Sequence, residues 1–337
     1  MTDVLNPKPV LALSGGVGGA KLALGLASVL MPGQLAVVAN TGDDFEHLGL
    51  PISPDLDTLM YTLAGIANPA EGWGRVGESW KTMDTLAELG GESWFRLGDL
   101  DLATHLYRAG QLAQGKTLSE VTSQLCEQLN IASAILPMSD DPVRTYVETD
   151  RGALPFQHYF VRERCQPAVK SVEFRGQTLA LANKRWLALL NNPDLQAIII
   201  CPSNPFVSID PMLGLPAVCD ALRASAAPVI AVSPIVAGAS IKGPSAKMMA
   251  EMQMPVSAAQ VAQYYENRYP GLIDGFVVDT ADGDEAGHID TEVLVTGTVM
   301  KTLDDKKALA CAVLEFAERL AAKSRQQMAV KCSGTSP

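Results

Sequence analysis

The sequence is poor in several features that mark simple functional classes. No apolar run reaches the roughly 18 residues of a membrane-crossing helix, so no transmembrane segment and no membrane partner are expected. The start, MTDVLNPKPV, has no basic segment followed by a long apolar core, and no signal peptide is expected. The cysteines Cys126, Cys165, Cys201, Cys219, Cys311 and Cys332 are scattered without a CxxC pair. That pattern argues against a disulfide framework and a cysteine zinc site, and for a reducing, cytoplasmic setting. The four histidines are dispersed as well, without zinc-ligand spacing. Basic residues are few: 26 Lys and Arg face 37 Asp and Glu, for a net charge of -11. A nucleic-acid binder would show a basic stripe, and none is visible. An anionic ligand must therefore be held locally, by backbone amides, a few basic side chains or a divalent cation. Aromatics make up only 6% of the chain. Trp73, Trp80 and Trp94 nevertheless fall close together, either as core or as the lining of a flat-ring pocket.

What is present is a chain of 337 residues, 47% hydrophobic, long enough for one large α/β domain or two modest ones. Short apolar runs repeatedly end in small or polar residues and give way to helical patterns. PVLAL (9–13) precedes SGGVGG; QLAVVANT (34–41) precedes an acid-rich stretch; LQAIIICP (195–202) precedes SNPF; PVIAVSP (228–234) precedes IVAGAS. Continuous runs of this kind, without alternation, are strands buried on both faces. Strands alternating with helices predict a Rossmann-like, mostly parallel sheet. GFVVDT (275–280) and EVLVTG (292–297) extend it.

Between the second and third of these runs lies a long excursion, with helices predicted at 56–66, 78–90, 101–113 and 117–129. The segments SAILPM, TYVET, FQHYFV and AVKSVEF follow as short β candidates. The expected organisation is a core of residues 1–55 and 190–325, an inserted, mainly helical subdomain at 56–189, and a loose tail at 326–337. TLDDKKALACAVLEFAERLAA reads as an amphipathic helix with its acids early, as the macrodipole prefers.

In an open parallel sheet, ligands bind beyond the carboxyl ends of the strands. Four segments leave candidate strands there: Ser14–Gly19, Thr41–Asp57, Pro202–Ser208 and Ser233–Ser240. SGGVGGAK (14–21) lets the backbone approach a ligand and opens a helix whose free N–H groups suit a phosphate. It is neither a Walker A loop nor GxGxxG, and a tight turn without ligand is the plain alternative. In NTGDDFEHLGLPISPDLDT (40–58), Ser53 suits a helix cap, Pro54 the first turn, and Asp55 and Asp57 the positive helix end. At i and i+2 these two acids do not share a face. Asp43 and Asp44 are equally turn formers. Five acids on one strand-exit loop nonetheless suit Mg²⁺, a hard cation that takes carboxylates beside substrate phosphates. SNP (203–205) and SP (233–234) offer groups that hold a base or phosphate, or simple turns; Ser203, Asn204 and Ser233 are nucleotide-binding candidates. Arg96 is a candidate anion clamp. His105 reads as a surface or capping histidine, and Lys242 and Lys247 as solvated surface.

SGGVGGAK, NTGDDF, ISPDLDT, WFRLGDLDLATH, ILPMSDDPVRTYVET, PSNPFVSI, AVSPIVAG and KGPSAK occur in the order seen in the 2-phospho-L-lactate transferase family, which the chain resembles from about residue 9 to 320. These enzymes take part in coenzyme F-420 biosynthesis. The resemblance implies a Rossmann-like core with an inserted subdomain, often dimeric, and a Mg²⁺-dependent transfer. The implied acceptor is the deazaflavin Fo, and the donor a C3 acid phosphate activated as a guanosine diphosphate derivative. The ribityl hydroxyl of Fo attacks and GMP leaves. By this resemblance Asp55 and Arg96 contact Fo, and Ser14, Gly15, Gly16 and Gly18 form the nucleotide-phosphate loop. Asp44 and Asp57 are the metal candidates, with Asp55 able to share that role, and Asp55 and Asp57 the catalytic ones. YTLAGIANPAEGWG is similar to the bacterial branch, tilting the C3 acid towards phosphoenolpyruvate over 2-phospholactate and 3-phosphoglycerate. Two rivals remain: a related regulator binding a nucleotide-sugar or dinucleotide, disfavoured by ISPDLDT and the Arg96–His105 segment, and an NAD-dependent oxidoreductase, disfavoured by the missing GxGxxG.

Overall fold

The computed structural model describes residues 8–333, with side chains to residue 326. The chain opens with β1 (Val10–Ser14), α1 (Gly16–Val29) and β2 (Leu35–Ala39), then a ribbon of β3 (Phe45–His47) and β4 (Leu50–Ile52). Four helices follow: α2 (Pro54–Leu63), α3 (Lys81–Glu88), α4 (Asp99–Ala113) and α5 (Leu118–Gln128). Next come β5 (Ala134–Pro137), β6 (Arg144–Thr149), β7 (Gly152–Pro155), β8 (Val169–Arg175) and α6 (Lys184–Leu190). The second half contains β9 (Ala197–Ile200), α7 (Asp210–Leu213), α8 (Val218–Ala224), β10 (Val229–Val232), and the ribbon β11 (Ile235–Val236) and β12 (Ala239–Ser240). It closes with α9 (Ser245–Glu251), α10 (Ala258–Arg268), β13 (Gly275–Asp279), β14 (Glu292–Thr296) and α11 (Leu303–Ser333).

Seven strands form one parallel sheet in the order β14-β13-β10-β9-β1-β2-β5. Its inner strands are apolar because both faces are covered. Leu11, Leu13, Val38, Ile198 and Ile200 point into one core, while Val10, Ala12, Val37, Ala39 and Ile199 point into the other. From β1 the chain builds outward through β2 to β5, then returns to the other side of β1 with β9. The order therefore reverses between β1 and β9, which opens a crevice beyond their carboxyl ends. Helix α1 lies tight against α11: a Cβ on Gly25 would stand 2.2 Å from the Lys306 carbonyl oxygen, so only glycine fits.

Three expectations need correction. The excursion at 56–189 is not one insertion, because AILP within it is β5, the strand that pairs with β2 through Ala39↔Pro137. A four-residue apolar run carries too little periodicity to distinguish a core strand from a peripheral one. FQHYFV, a short β candidate in the sequence, is helical, with a π-helical turn at His158–Arg162. The tail is not loose as far as Ser333, since α11 runs on to that residue, and 334–337 lie outside the described residues.

Candidate active site

The four strand-exit loops meet around one cavity of about 620 Å³. Gly15, Gly16 and Gly18 line it, with Asp43, Asp55, Ser203, Asn204, Ser208 and Ser233 from the other three loops. The glycine turn is locked to its neighbours by paired contacts. The Gly15 N–H donates to Ser203 Oγ at 3.0 Å, and that hydroxyl donates back to the Gly15 carbonyl at 2.8 Å. Gly16, with φ of +63°, donates its N–H to Asp55 Oδ1 at 2.8 Å. A Cβ on Gly18 would stand 2.4 Å from the Pro202 carbonyl oxygen, so the loops after β1 and β9 touch only because that position is glycine. Ser14 is buried behind the turn, its hydroxyl beside Gly19. Asn204 spends its side-chain oxygen on the Phe206 N–H, and Ser233 its hydroxyl on the Ile235 carbonyl, so both shape the wall through turn contacts.

The acids sort into two sets. Asp43 and Asp55 face the cavity. Asn40 Nδ2 fixes Asp55 by donating to its Oδ2 at 3.0 Å and also reaches the Val207 carbonyl, joining the loops after β2 and β9. Asp44 and Asp57, the metal candidates of the sequence, do not line the cavity. Asp44 takes the Ser53 hydroxyl at 2.7 Å. Asp57 holds both Nη atoms of Arg108, a cation only 1% exposed. His105 is not a surface residue: it is 1% exposed, its Nδ1 lies 3.1 Å from Arg108 Nη1 and its Nε2 3.3 Å from Asp101. Tyr61 completes the knot by donating to Asp101 Oδ1 at 2.7 Å. Asp57, Asp101 and His105 are near enough to share a cation. The guanidinium of Arg108 already takes that place as counter-charge to Asp57, so these residues do not fit a metal.

The cavity-facing acids do. Burial raises the Asp43 carboxyl well above the usual range, reinforced by the Asp55 charge, and pushes Asp55 up to about 6. Asp44 is pushed up to about 7, again by burial. Asp43 Oδ1 and Asp44 Oδ1 are buried without a partner, as are the hydroxyls of Thr41 and Thr145. Of these, Asp43 lines the cavity, and an unmatched carboxylate oxygen there suits a hard cation with oxygen ligands.

Part of the wall is aromatic. Phe156 and Phe160 stack at 5.5 Å with planes 6° apart, and Trp94 stands edge-on to His158 at 4.7 Å. Arg96 borders them, half-exposed, 4.9 Å from the Trp80 ring and 2.7 Å from Asp84. Trp73 also lines the cavity and remains 44% exposed. The segment Thr298–Met300 forms part of the rim, anchored where Asp279 accepts the Thr298 N–H. Sequence reasoning missed Arg108 and the true setting of His105. The signal was present, since Asp101, His105 and Arg108 recur at i, i+4 and i+7 along one helix face.

A parallel sheet with its crevice at the switch point, lined by a glycine turn and by aromatic side chains, defines a Rossmann-like α/β enzyme architecture. Residues 10–315 match the family model described as 2-phospho-L-lactate transferase CofD. The chain is 38% identical over 307 residues to a phosphoenolpyruvate transferase of Kitasatospora aureofaciens, covering 89% of this chain and 94% of that one. It is 39% identical over 273 residues to a 2-phospho-L-lactate transferase of Methanosarcina acetivorans, covering 81% and 86%. The crystal structure of a UPF0052 family member from Bacillus halodurans superimposes with a TM-score of 0.63 at 15% identity, over 92% of this chain and 99% of that one, a likeness of fold alone. The chain belongs to the CofD family, and it is a transferase of coenzyme F-420 biosynthesis.

Proposed function

We propose that the protein transfers a phospho-C3-acid group from its guanosine diphosphate-activated form to the terminal ribityl hydroxyl of Fo, releasing GMP. The observation that carries this reading is one cavity lined by a glycine turn, by aromatic side chains and by two buried carboxylates, one of which accepts the Gly16 N–H. The turn suits the diphosphate, through free N–H groups at the start of α1. The aromatic wall with Arg96 suits a flat deazaflavin ring. Relatives named phosphoenolpyruvate transferase align over the larger share of the chain, which makes phosphoenolpyruvate the first C3 acid to test.

In this reaction the hydroxyl oxygen of Fo bonds to the phosphorus bearing the C3 acid. The bond from that phosphorus to the bridging oxygen breaks, and its electron pair leaves on GMP. The hydroxyl proton passes to a carboxylate of the Asp43–Asp55 pair, the buried acids that line the cavity. Asp43 and Asp55 are also the residues that would hold Mg²⁺, which when bound neutralises phosphate charge. The protein's own part is in-line positioning: Asn40 and the Gly16 N–H fix Asp55 against the turn that holds the donor.

The test is incubation with Fo, Mg²⁺ and guanosine-activated phosphoenolpyruvate or phospholactate, reading GMP and the deazaflavin product by mass spectrometry. GMP release with a charged deazaflavin product supports the proposal. Tight nucleotide-sugar binding without turnover would instead make the chain a regulator.

A further inference from the structure

Two ammonium groups in the cavity lack a counter-charge. Lys21, one turn into α1, and Lys242, on the loop between β12 and α9, both line it. The lysine ion pairs among the described residues are Lys247–Glu251 and Lys323–Glu292, so neither cavity lysine has one. Each is held by one backbone carbonyl: Lys21 Nζ donates to Met300 at 3.1 Å and Lys242 Nζ to Glu71 at 3.0 Å. Lys21 follows the glycine turn in the chain, and Lys242 approaches it from the β12–α9 loop. The position a Cβ on Gly72 would occupy is 3.3 Å from Lys242 Nζ and 3.4 Å from Val17 Cγ1, which places the Lys242 ammonium beside the residue between Gly16 and Gly18. Lys21 and Lys242 also repel each other: burial, Lys306 and Lys242 together lower the Lys21 ammonium from its ordinary value. In a chain of net charge -11, unpaired cations repelling one another in a cavity form an anion site awaiting its anion. The third cation of the wall, Arg96, is already engaged by Asp84.

We infer that Lys21 and Lys242 form a two-point clamp on the donor's diphosphate, and that this clamp makes the site prefer nucleoside diphosphates to monophosphates. The inference rests on the transferase reading above and deepens it. Two ammonium groups fed from different loops match two phosphates in series; a monophosphate leaves one of them unmatched. The same arrangement serves turnover. When the bridging bond breaks, its electron pair and the added negative charge stay on the α-phosphate, beside the clamp. GMP then departs because it satisfies only part of it.

The experiment is calorimetric titration of the full chain with GDP and with GMP, each with Mg²⁺ and with EDTA. Fo binding, followed by deazaflavin fluorescence, is the control. The wild type is expected to bind GDP at least about tenfold more tightly than GMP, the worth of one further charge-assisted contact. Lys242→Met is expected to lose about tenfold in GDP affinity, with GMP and Fo affinities little changed. Lys242→Arg, which keeps the charge, is expected to retain most of the GDP affinity. Lys21→Met is expected to lose GDP affinity to the same extent and, as the ammonium left to the monophosphate, to weaken GMP binding as well. Lys242 is exposed at the mouth, so its variants test the clamp even if Lys21→Met folds poorly. Wild-type GDP affinity in Lys242→Met, or equal wild-type affinities for GDP and GMP alongside normal Fo binding, would overturn the clamp and leave the transferase reading standing. A wild type that binds neither GDP nor Fo would overturn both.

Discussion

Asp55 and Asp57 stand two residues apart in ISPDLDT, and their neutralisation should have opposite consequences. In Asp57→Asn, Arg108 keeps its charge while losing the carboxylate that holds both its Nη atoms. It is 1% exposed, so water cannot replace the lost partner, and Asp101 is held by Tyr61. Breaking a buried pair from one side costs about 3–5 kcal/mol. Asp55→Asn differs in sign. The Asp55 carboxyl is raised from 3.8 to about 6, so the folded state binds this proton more tightly than the unfolded chain does. That contribution is present below about pH 4 and lost as pH rises through about 6. At pH 8 the ionised carboxylate is therefore a liability, and asparagine removes it. Against that gain, Asn40 Nδ2 would face an amide instead of a carboxylate oxygen, and the two effects should offset to within about 1 kcal/mol. Urea unfolding at pH 8 measures both variants, and GMP release measures turnover. Asp55→Asn should unfold near the wild-type midpoint with turnover down by about a thousandfold, the scale of a lost general base or charge-stabilising group. Asp57→Asn should unfold at clearly lower urea. If Asp57→Asn proves as stable as wild type yet inactive, the separation into facing and anchoring acids is wrong.

Gly18→Ala would drive a methyl into the Pro202 carbonyl, at a cost of about 1–3 kcal/mol, and should weaken GDP binding more than Fo binding in parallel titrations. The carboxyl of Asp55, raised to about 6 by burial, ionises only as pH climbs through that value, and Asp43 is raised in the same direction, so turnover should rise with pH from there. More Mg²⁺ should move the rising limb to lower pH, because the cation favours the ionised form; a limb that ignores Mg²⁺ refutes the ligand assignment. Arg96→Ala should raise the Michaelis constant for Fo several-fold and leave that for the nucleotide donor near wild type, with unchanged constants for both arguing against its place at the acceptor.

The sheet was readable in the sequence because VLAL, LAVVA, AIII and VIAV are buried on both faces and carry no competing pattern. The convergence of the strand-exit loops followed from parallel topology alone. AILP was misplaced because its partner β2 is remote in the chain, and pairing at that distance leaves no local mark. Which acids face the cavity was not readable. Asp43 and Asp44 are adjacent, and their directions depend on the turn between β2 and β3 and on the Ser53 hydroxyl that takes Asp44 inward. Asp57 looked like a ligand because its charge was visible and its partner, 51 residues on, was not. Lys242 looked like solvated surface, since nothing nearby in sequence says that the 68–77 segment crosses to meet it.

The chain leaves the top of β2 at Asn40 and comes back at the foot of β5, its immediate neighbour in the sheet. Everything between, including α2 to α5 and the tryptophan-bearing loop, hangs from two adjacent rungs of the scaffold. Because closing a longer or shorter excursion between fixed ends changes chain entropy only slowly with length, about 0.6 kcal/mol per doubling, this stretch can be trimmed or extended without disturbing the rungs. The length of the wall that this stretch supplies around Trp73 and Arg96 can thus vary while the glycine turn stays fixed at the end of β1.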